Sequence, residues 1–391
     1  MWVILMMIGV SMCLNLFKDT DWSSDYMVLS EKSKVFYYLV RSYKEDSPLV
    51  VWIGGGPGCS AGNLLFLEAG PYVFNSSLNY TPNTYSWNRF ANILYLDFPF
   101  STGLSENEED SEVIKNINAA ANQLNKFMVY FFEMNDEYLG KKLYFACESY
   151  SCQIVIKFAS NYNFKRISGL ILRNPMLNYK IQSNWAKFAQ SIDKINYFEY
   201  FISTALIFYC KLGIQLNSES VIRNFCDPTM ERTARKSHIK CLDNINNTQC
   251  YDKEYYTVNN LLNNFEVQKS LGLNKQVPFT ICNTTISYYM DIELKQGDTK
   301  ELGYLLDKGI NVKMIFGNNS FMNNWVGGKE MAESIGWNKK EDFKSKKMDV
   351  FDCGRKKEVE SLRFVVLDNA GHVMTREVHS CFFKELTNFI S

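Results

Sequence analysis

Six short runs along the chain are almost wholly apolar, β-branched or aromatic, and each stops at a cluster of small or polar residues. They are PLVVWIGGG (48–56), NILYLDFP (92–99), KLYFACES (142–149), ISGLILRNP (167–175), VKMIFGNN (312–319) and LRFVVLDNAGH (362–372). Runs of this length without polar alternation predict strands buried on both faces. Helix-like stretches such as 111–133 and 326–334 lie between them. The alternation predicts an α/β fold: a mostly parallel central sheet flanked by helices, with functional residues on the loops after the strands' carboxyl ends.

The stretch 179–256 breaks this rhythm. It is rich in Asn, Lys and aromatic residues, has no buried-strand run, and holds Cys210, Cys226, Cys241 and Cys250. It reads as a helical cap, stapled by disulfides and inserted into a core made of 14–178 and 257–391. The Lys-rich stretch 339–357 reads as a solvated loop or hairpin.

The first residues differ again. MWVILMMIGVSMCLN is apolar through Leu14, short for a bilayer span, and sets small residues Ser11 and Cys13 at the −3 and −1 positions of a cleavage site. Residues 1–13 are therefore expected to be a signal peptide, even though no Lys or Arg precedes the apolar stretch. Ten cysteines would remain, an even number suited to an oxidising compartment. Sequons at Asn75, Asn79, Asn246, Asn283 and Asn318 point the same way. The expected location is the secretory route, in a lysosome or vacuole or outside the cell. Basic and acidic residues balance at 42 each, so bulk charge draws the chain neither to nucleic acid nor to an anionic membrane.

Candidate chemistry centres on CESYSC. An α/β hydrolase carries its nucleophile on a tight strand-to-helix turn whose flanking positions must be small. Ser149 sits on such a turn, with Cys147 and Ser151 in those positions. WIGGGPGCSAG supplies a glycine loop whose backbone N–H groups, at Gly55 and Gly56, would hold an oxyanion together with the N–H of Tyr150. A phosphate cradle is disfavoured, because Pro57 lacks a donor and no GK[ST] ending follows. Of three histidines, His238 falls in the expected cap, and His379 reads as a surface or packing residue. His372 follows the last strand, where this fold places its general base. Nothing in the chain calls for a metal or cofactor.

The motifs resemble those of the serine carboxypeptidases of lysosomal, vacuolar and plant type. VVWIGGGPGCSAG is similar to that family's W-L-N-G-G-P-G-C-S-S, FLEAGPY to its E-x-G-P, and CESYSC to its G-E-S-Y-A-G. SWNRFANILYLDFPFSTGLS, VQKSLG and NAGHV match further family motifs, in order, from about Tyr26 to the C-terminus. The resemblance implies removal of C-terminal residues from peptides, best in acid. It implies that Glu68 and Glu148 share a proton and bind the substrate's terminal carboxylate, next to Gly54. It also implies a Cys59–Cys282 disulfide. Cys210 with Cys226 and Cys241 with Cys250 are expected cap pairings, a nested arrangement being the alternative; Cys147, Cys152, Cys353 and Cys381 are left open.

Several positions depart from the pattern. In IFGNNSFMNNW, Ser320 stands where the family has its catalytic aspartate, and 318–325 holds no carboxylate. Asp368, four residues before His372, is one possible substitute. Gly54 replaces an asparagine that donates to the substrate carboxylate, cysteines replace both glycines around Ser149, and Phe100 occupies a glycine-containing turn. The expected function is a serine-type carboxypeptidase working through an acyl-enzyme, weakened by the loss of the aspartate. The alternatives are a catalytically inactive secreted binding protein and an acyltransferase. Peptide or protein C-termini are the expected substrate or ligand.

Overall fold

The computed structural model describes residues 16–75, 79–107, 114–162, 167–250 and 252–390; the expected signal peptide lies outside them. Its centre is an eleven-stranded sheet. In chain order its longer strands are β1 (Trp22–Val28), β2 (Ser33–Val40), β3 (Leu49–Ile53), β4 (Asn92–Leu96) and β5 (Leu143–Glu148). There follow β6 (Ile167–Arg173), β7 (Asn311–Gly317), β8 (Asp349–Phe351), β9 (Gly354–Val359) and β10 (Leu362–Leu367). Across the sheet they run β1-β2-β4-β3-β5-β6-β7-β10-β9-β8, with the short strand Glu106–Asn107 beside β2.

The six strands from β4 to β10 are mutually parallel, and they are the six apolar runs of the sequence. Leu49, Val51 and Ile53 of β3 face one core with Phe127 and Phe145, while Val50 and Trp52 face the other with Phe66 and Trp87. Burial on both faces is why these strands show no polar alternation. Antiparallel strands close both edges. The Lys-rich stretch supplies one edge as the hairpin β8–β9, preceded by a short helix Lys340–Ser345. Lys357 there is buried, with its ammonium paired to Glu333.

Helices α1 (Ile117–Met134) and α2 (Ser151–Asn161) pack against each other. The α1 helix begins at Asn116, whose side chain accepts from the Ala119 N–H. Every element between β6 and β7 is helical, including α3 (Tyr197–Gln215), α4 (Glu219–Lys236), α5 (Asp252–Leu262) and α6 (Thr284–Lys295). The Cys210–Cys226 disulfide joins α3 to α4. Trp185, Phe188, Ile207 and Ile222 build a separate apolar cluster, and Phe321 from the loop after β7 inserts into it. That loop is thus held between the sheet and the helical segment.

Register aligns the strand ends. Ile53 pairs with Cys147, Glu148 and Ile315 both pair with Arg173, and Gly317 pairs with Leu367. The loops carrying Gly54–Gly56, Ser149, Ser320 and His372 therefore emerge on one side.

Candidate active site

Ser149 occupies the junction of β5 and α2 with φ +56°, the left-handed region that costs a non-glycine residue on the order of 1–3 kcal/mol. The turn is held from several sides. The Ser149 N–H donates to Arg173 O (3.0 Å), and the Ser149 carbonyl accepts from the N–H groups of Cys152 (3.3 Å) and Met176 (3.2 Å). Cys147 and Cys152 are joined to each other in a disulfide, and both are fully buried. The bond clasps the last turn of β5 to the first turn of α2 around Ser149, so the two side chains fill space against one another.

The glycine loop is tight. A Cβ on Gly54 would lie 2.5 Å from Cys59 O, Gly56 has φ +108°, and a Cβ on Gly55 would sit 2.9 Å from Glu148 Oε1. Cys59 is joined to Cys282. Asp97, wholly buried, accepts from Ser60 Oγ (2.5 Å), Ala61 N (3.0 Å) and Leu104 N (2.9 Å). Burial pushes the Asp97 carboxyl up to about 6 in spite of these donors.

His372 is buried and fixed through its backbone. Its N–H donates to Asp243 O (2.6 Å), and its carbonyl accepts from Asn174 Nδ2 (2.9 Å). Ser320 Oγ lies 3.5 Å from Nδ1, and Glu148 Oε1 lies 3.8 Å from Nε2. Among the described residues no carboxylate pairs with Nδ1. Asp368 is engaged elsewhere, accepting from Asn318 Nδ2 (3.1 Å) and pairing with Arg355 (3.7 Å). Burial lowers the imidazole pKa; the Asp243 charge opposes that shift, Arg173 reinforces it and Glu68 opposes it.

Ser149 Oγ makes no hydrogen bond to His372 among the described residues; it accepts from Asn323 Nδ2 (3.0 Å). The same nitrogen donates to Asn174 O (2.7 Å), which fixes the amide orientation. Asn323 therefore donates into the serine oxygen and leaves the hydroxyl proton free for a base.

The two glutamates do not face each other alone. Arg173 lies between them: Nη1 contacts Glu68 Oε2 (2.6 Å), Nη2 pairs with Glu148, and the guanidinium stacks on Trp52 at 5.0 Å. Arg173 and Glu68 are almost completely buried. Burial alone would lower the Arg173 pKa, but the charges of Glu148 and Glu68 outweigh it and raise the value. A cation thus lies between the two carboxylates that the family resemblance pairs. Register sets Arg173 beside Glu148 on adjacent strands, a pairing of residues 25 positions apart that the sequence pattern does not show.

Residues 241–247 lie across both active-site loops. Leu242 O accepts from Phe321 N (3.0 Å) and Met322 N (3.2 Å), and Ile245 N donates to Asn319 O (2.9 Å). The Cys241–Cys250 disulfide closes this segment, and Cys353 pairs with Cys381. Cys241, Asp243 and Cys250 cluster in the manner of metal ligands, but the disulfide leaves no thiolates to bind an ion. Of the sequon asparagines, Asn75, Asn79 and Asn246 are exposed. Asn283 instead caps α6 and donates to Ser101 O (2.8 Å), and Asn318 donates to Asp368 (3.1 Å), so both side-chain amides are already engaged.

A serine on a strand–turn–helix elbow, a glycine loop beside it and a histidine after the last parallel strand define an α/β hydrolase. Consistent with this, the fold is similar to that of Kex1Δp, a prohormone-processing carboxypeptidase from Saccharomyces cerevisiae, with a TM-score of 0.81, 20% identity and coverage of 94% of this chain and 91% of that one. The family model for serine carboxypeptidase matches residues 17–391, and the chain belongs to that family of serine-type hydrolases. It is 25% identical over 391 residues to serine carboxypeptidase-like 47 of Arabidopsis thaliana, covering 92% of this chain and 76% of the relative. It is also 25% identical over 386 residues to serine carboxypeptidase 3 of Oryza sativa subsp. japonica, covering 91% and 76%. Among the described residues no helix is long and apolar enough to cross a membrane.

Proposed function

We propose that this chain is a slow serine-type carboxypeptidase of the secretory route. Ser149 attacks the terminal peptide carbonyl, the C-terminal residue leaves as the acyl-enzyme forms, and water releases the shortened peptide. The observation that carries this reading is the elbow, where Ser149 is held at φ +56° beside the glycine loop. The N–H groups of Gly55, Gly56 and Tyr150 would receive the oxyanion.

His372 acts as the base after its ring turns from Glu148 toward Ser149. Burial lowers its pKa and so favours the neutral imidazole, the form that accepts the serine proton. Ser320 can hold the Nδ1–H tautomer but brings no charge to the imidazolium. Loss of that charge costs about 10⁴ in turnover in a serine protease. Hydrolysis of N-blocked dipeptides, followed by mass spectrometry and lost in Ser149→Ala, tests the reading.

A second reading is a non-catalytic carboxypeptidase-fold protein that binds peptide C-termini. It is favoured by the contact of Asn323 with Ser149 and by the occupation of the carboxylate pocket by Arg173. Acyl transfer to an alcohol would use the same serine and would show as ester turnover that rises with added alcohol.

A further inference from the structure

Helix α3 turns a stripe of large apolar side chains into solvent. Tyr197, Phe201, Phe208 and Leu216 are 83, 71, 62 and 67% exposed. They recur at helical spacing, with Ala205 and Leu212 filling the remaining turns, and Phe198 and Tyr209 widen the stripe. The other side of the helix is buried too, through Ser203, Ile207, Cys210 and Ile214. A helix apolar all round is normally covered all round. At these exposures the stripe leaves on the order of 800 Å² of side-chain surface, taking roughly 150–250 Å² for each aromatic ring. That exceeds the usual apolar patch of a monomer and matches one partner's share of a standard interface.

Charge and spacing select the occupant. A helix that lies on a membrane carries a Lys/Arg-rich polar face. Here α3 holds one lysine and one glutamate, and Glu199 is already paired with Arg232 (2.6 Å) and Lys236 (3.4 Å). The stripe is close to symmetric about Ala205: Phe201 lies four residues before it and Phe208 three after, Tyr197 eight before and Leu212 seven after. An antiparallel copy related by a two-fold axis at Ala205 would set Phe201 against the partner's Phe208 and Tyr197 against the partner's Leu212. The small alanine at the crossing lets the helices approach to about 8–10 Å, and an isologous contact of this kind closes on itself as a dimer.

We propose that the protein is a homodimer joined through α3. Sedimentation velocity on the full secreted glycoprotein should show a concentration-dependent monomer–dimer equilibrium. Phe201→Glu and Phe208→Glu should each weaken it by about 30-fold with unchanged thermal transitions, because both rings are exposed. As a second measure free of folding effects, Ala205→Cys should form a covalent dimer under mild oxidation. Three results would overturn the proposal. One is a monomer at every concentration. Another is a dimer indifferent to both glutamates, and the third is a monomer that floats with phosphatidylcholine–phosphatidylserine vesicles.

Discussion

Replacing Ser320 with aspartate should raise the rate of a poorly armed enzyme. Ser320 Oγ lies 3.5 Å from His372 Nδ1, and the residue is fully buried. An aspartate places its carboxylate oxygen about 1.2 Å beyond the position of Oγ. That reach exceeds the roughly 0.6–0.8 Å by which the 3.5 Å gap must shorten to give the roughly 2.7–2.9 Å of a charge-assisted bond. If the full effect of a triad aspartate returned, turnover would gain about 10⁴, equivalent to about 5.5 kcal/mol of transition-state stabilisation. Asn323 still has to be displaced from Ser149 and the ring reoriented, so a gain of about 10² to 10³ in kcat/KM is expected. The buried carboxylate should also lower stability at neutral pH by a few kcal/mol. The assay is hydrolysis of N-blocked dipeptides, with Ser320→Asn as the control that can fix the tautomer without a charge. An aspartate variant that folds yet turns over no faster than the asparagine variant would refute the reasoning.

Other predictions concern the charges around the site. Arg173→Gln leaves the buried Glu68 and the part-buried Glu148 without their shared cation and should cost about 3 to 5 kcal/mol; a loss under about 1 kcal/mol in denaturant melts would count against the clamp. Asp97 has a folded pKa of about 6 against 3.8 unfolded, so the native state binds that proton more tightly. Its contribution is fully present below pH 3.8 and fades as pH rises through about 6, a change of up to about 3 kcal/mol. Asp97→Asn should remove that slope, measured by denaturant unfolding across the window. Asp243→Asn should lower the His372 pKa further, because it removes the first charge that opposes burial. With three histidines in the chain, NMR titration can follow His372 separately from the others; an unchanged pKa would show that Asp243 acts through its backbone alone.

The parallel centre of the sheet was legible because strands buried on both faces become uninterrupted apolar runs. The edges were harder. Strand β1 reads WSSDYMV, with only one fully buried residue, and β8 is three residues long with no buried one. Pattern alone gives such strands little signature. Ser149 and His372 were visible as local motifs beside strand ends. Asn323, Arg173 and Asp243 were not, because their contacts join residues far apart in sequence: Asn323 meets Ser149 across 174 positions and Arg173 meets Glu68 across 105. The two cysteines beside Ser149 read in the sequence as a loss of the two glycines, and only their pairing shows how the turn accommodates them.

The central claim is that Ser149 is a nucleophile served by His372, with Ser320 and no carboxylate at Nδ1 among the described residues. It is tested most directly by labelling the folded protein with a fluorophosphonate, beside Ser149→Ala, over a pH range that spans the His372 titration. Slow labelling that rises as His372 loses its proton and vanishes in the alanine variant is the predicted result. No labelling of protein with an intact thermal transition, or equal labelling of the alanine variant, would contradict it.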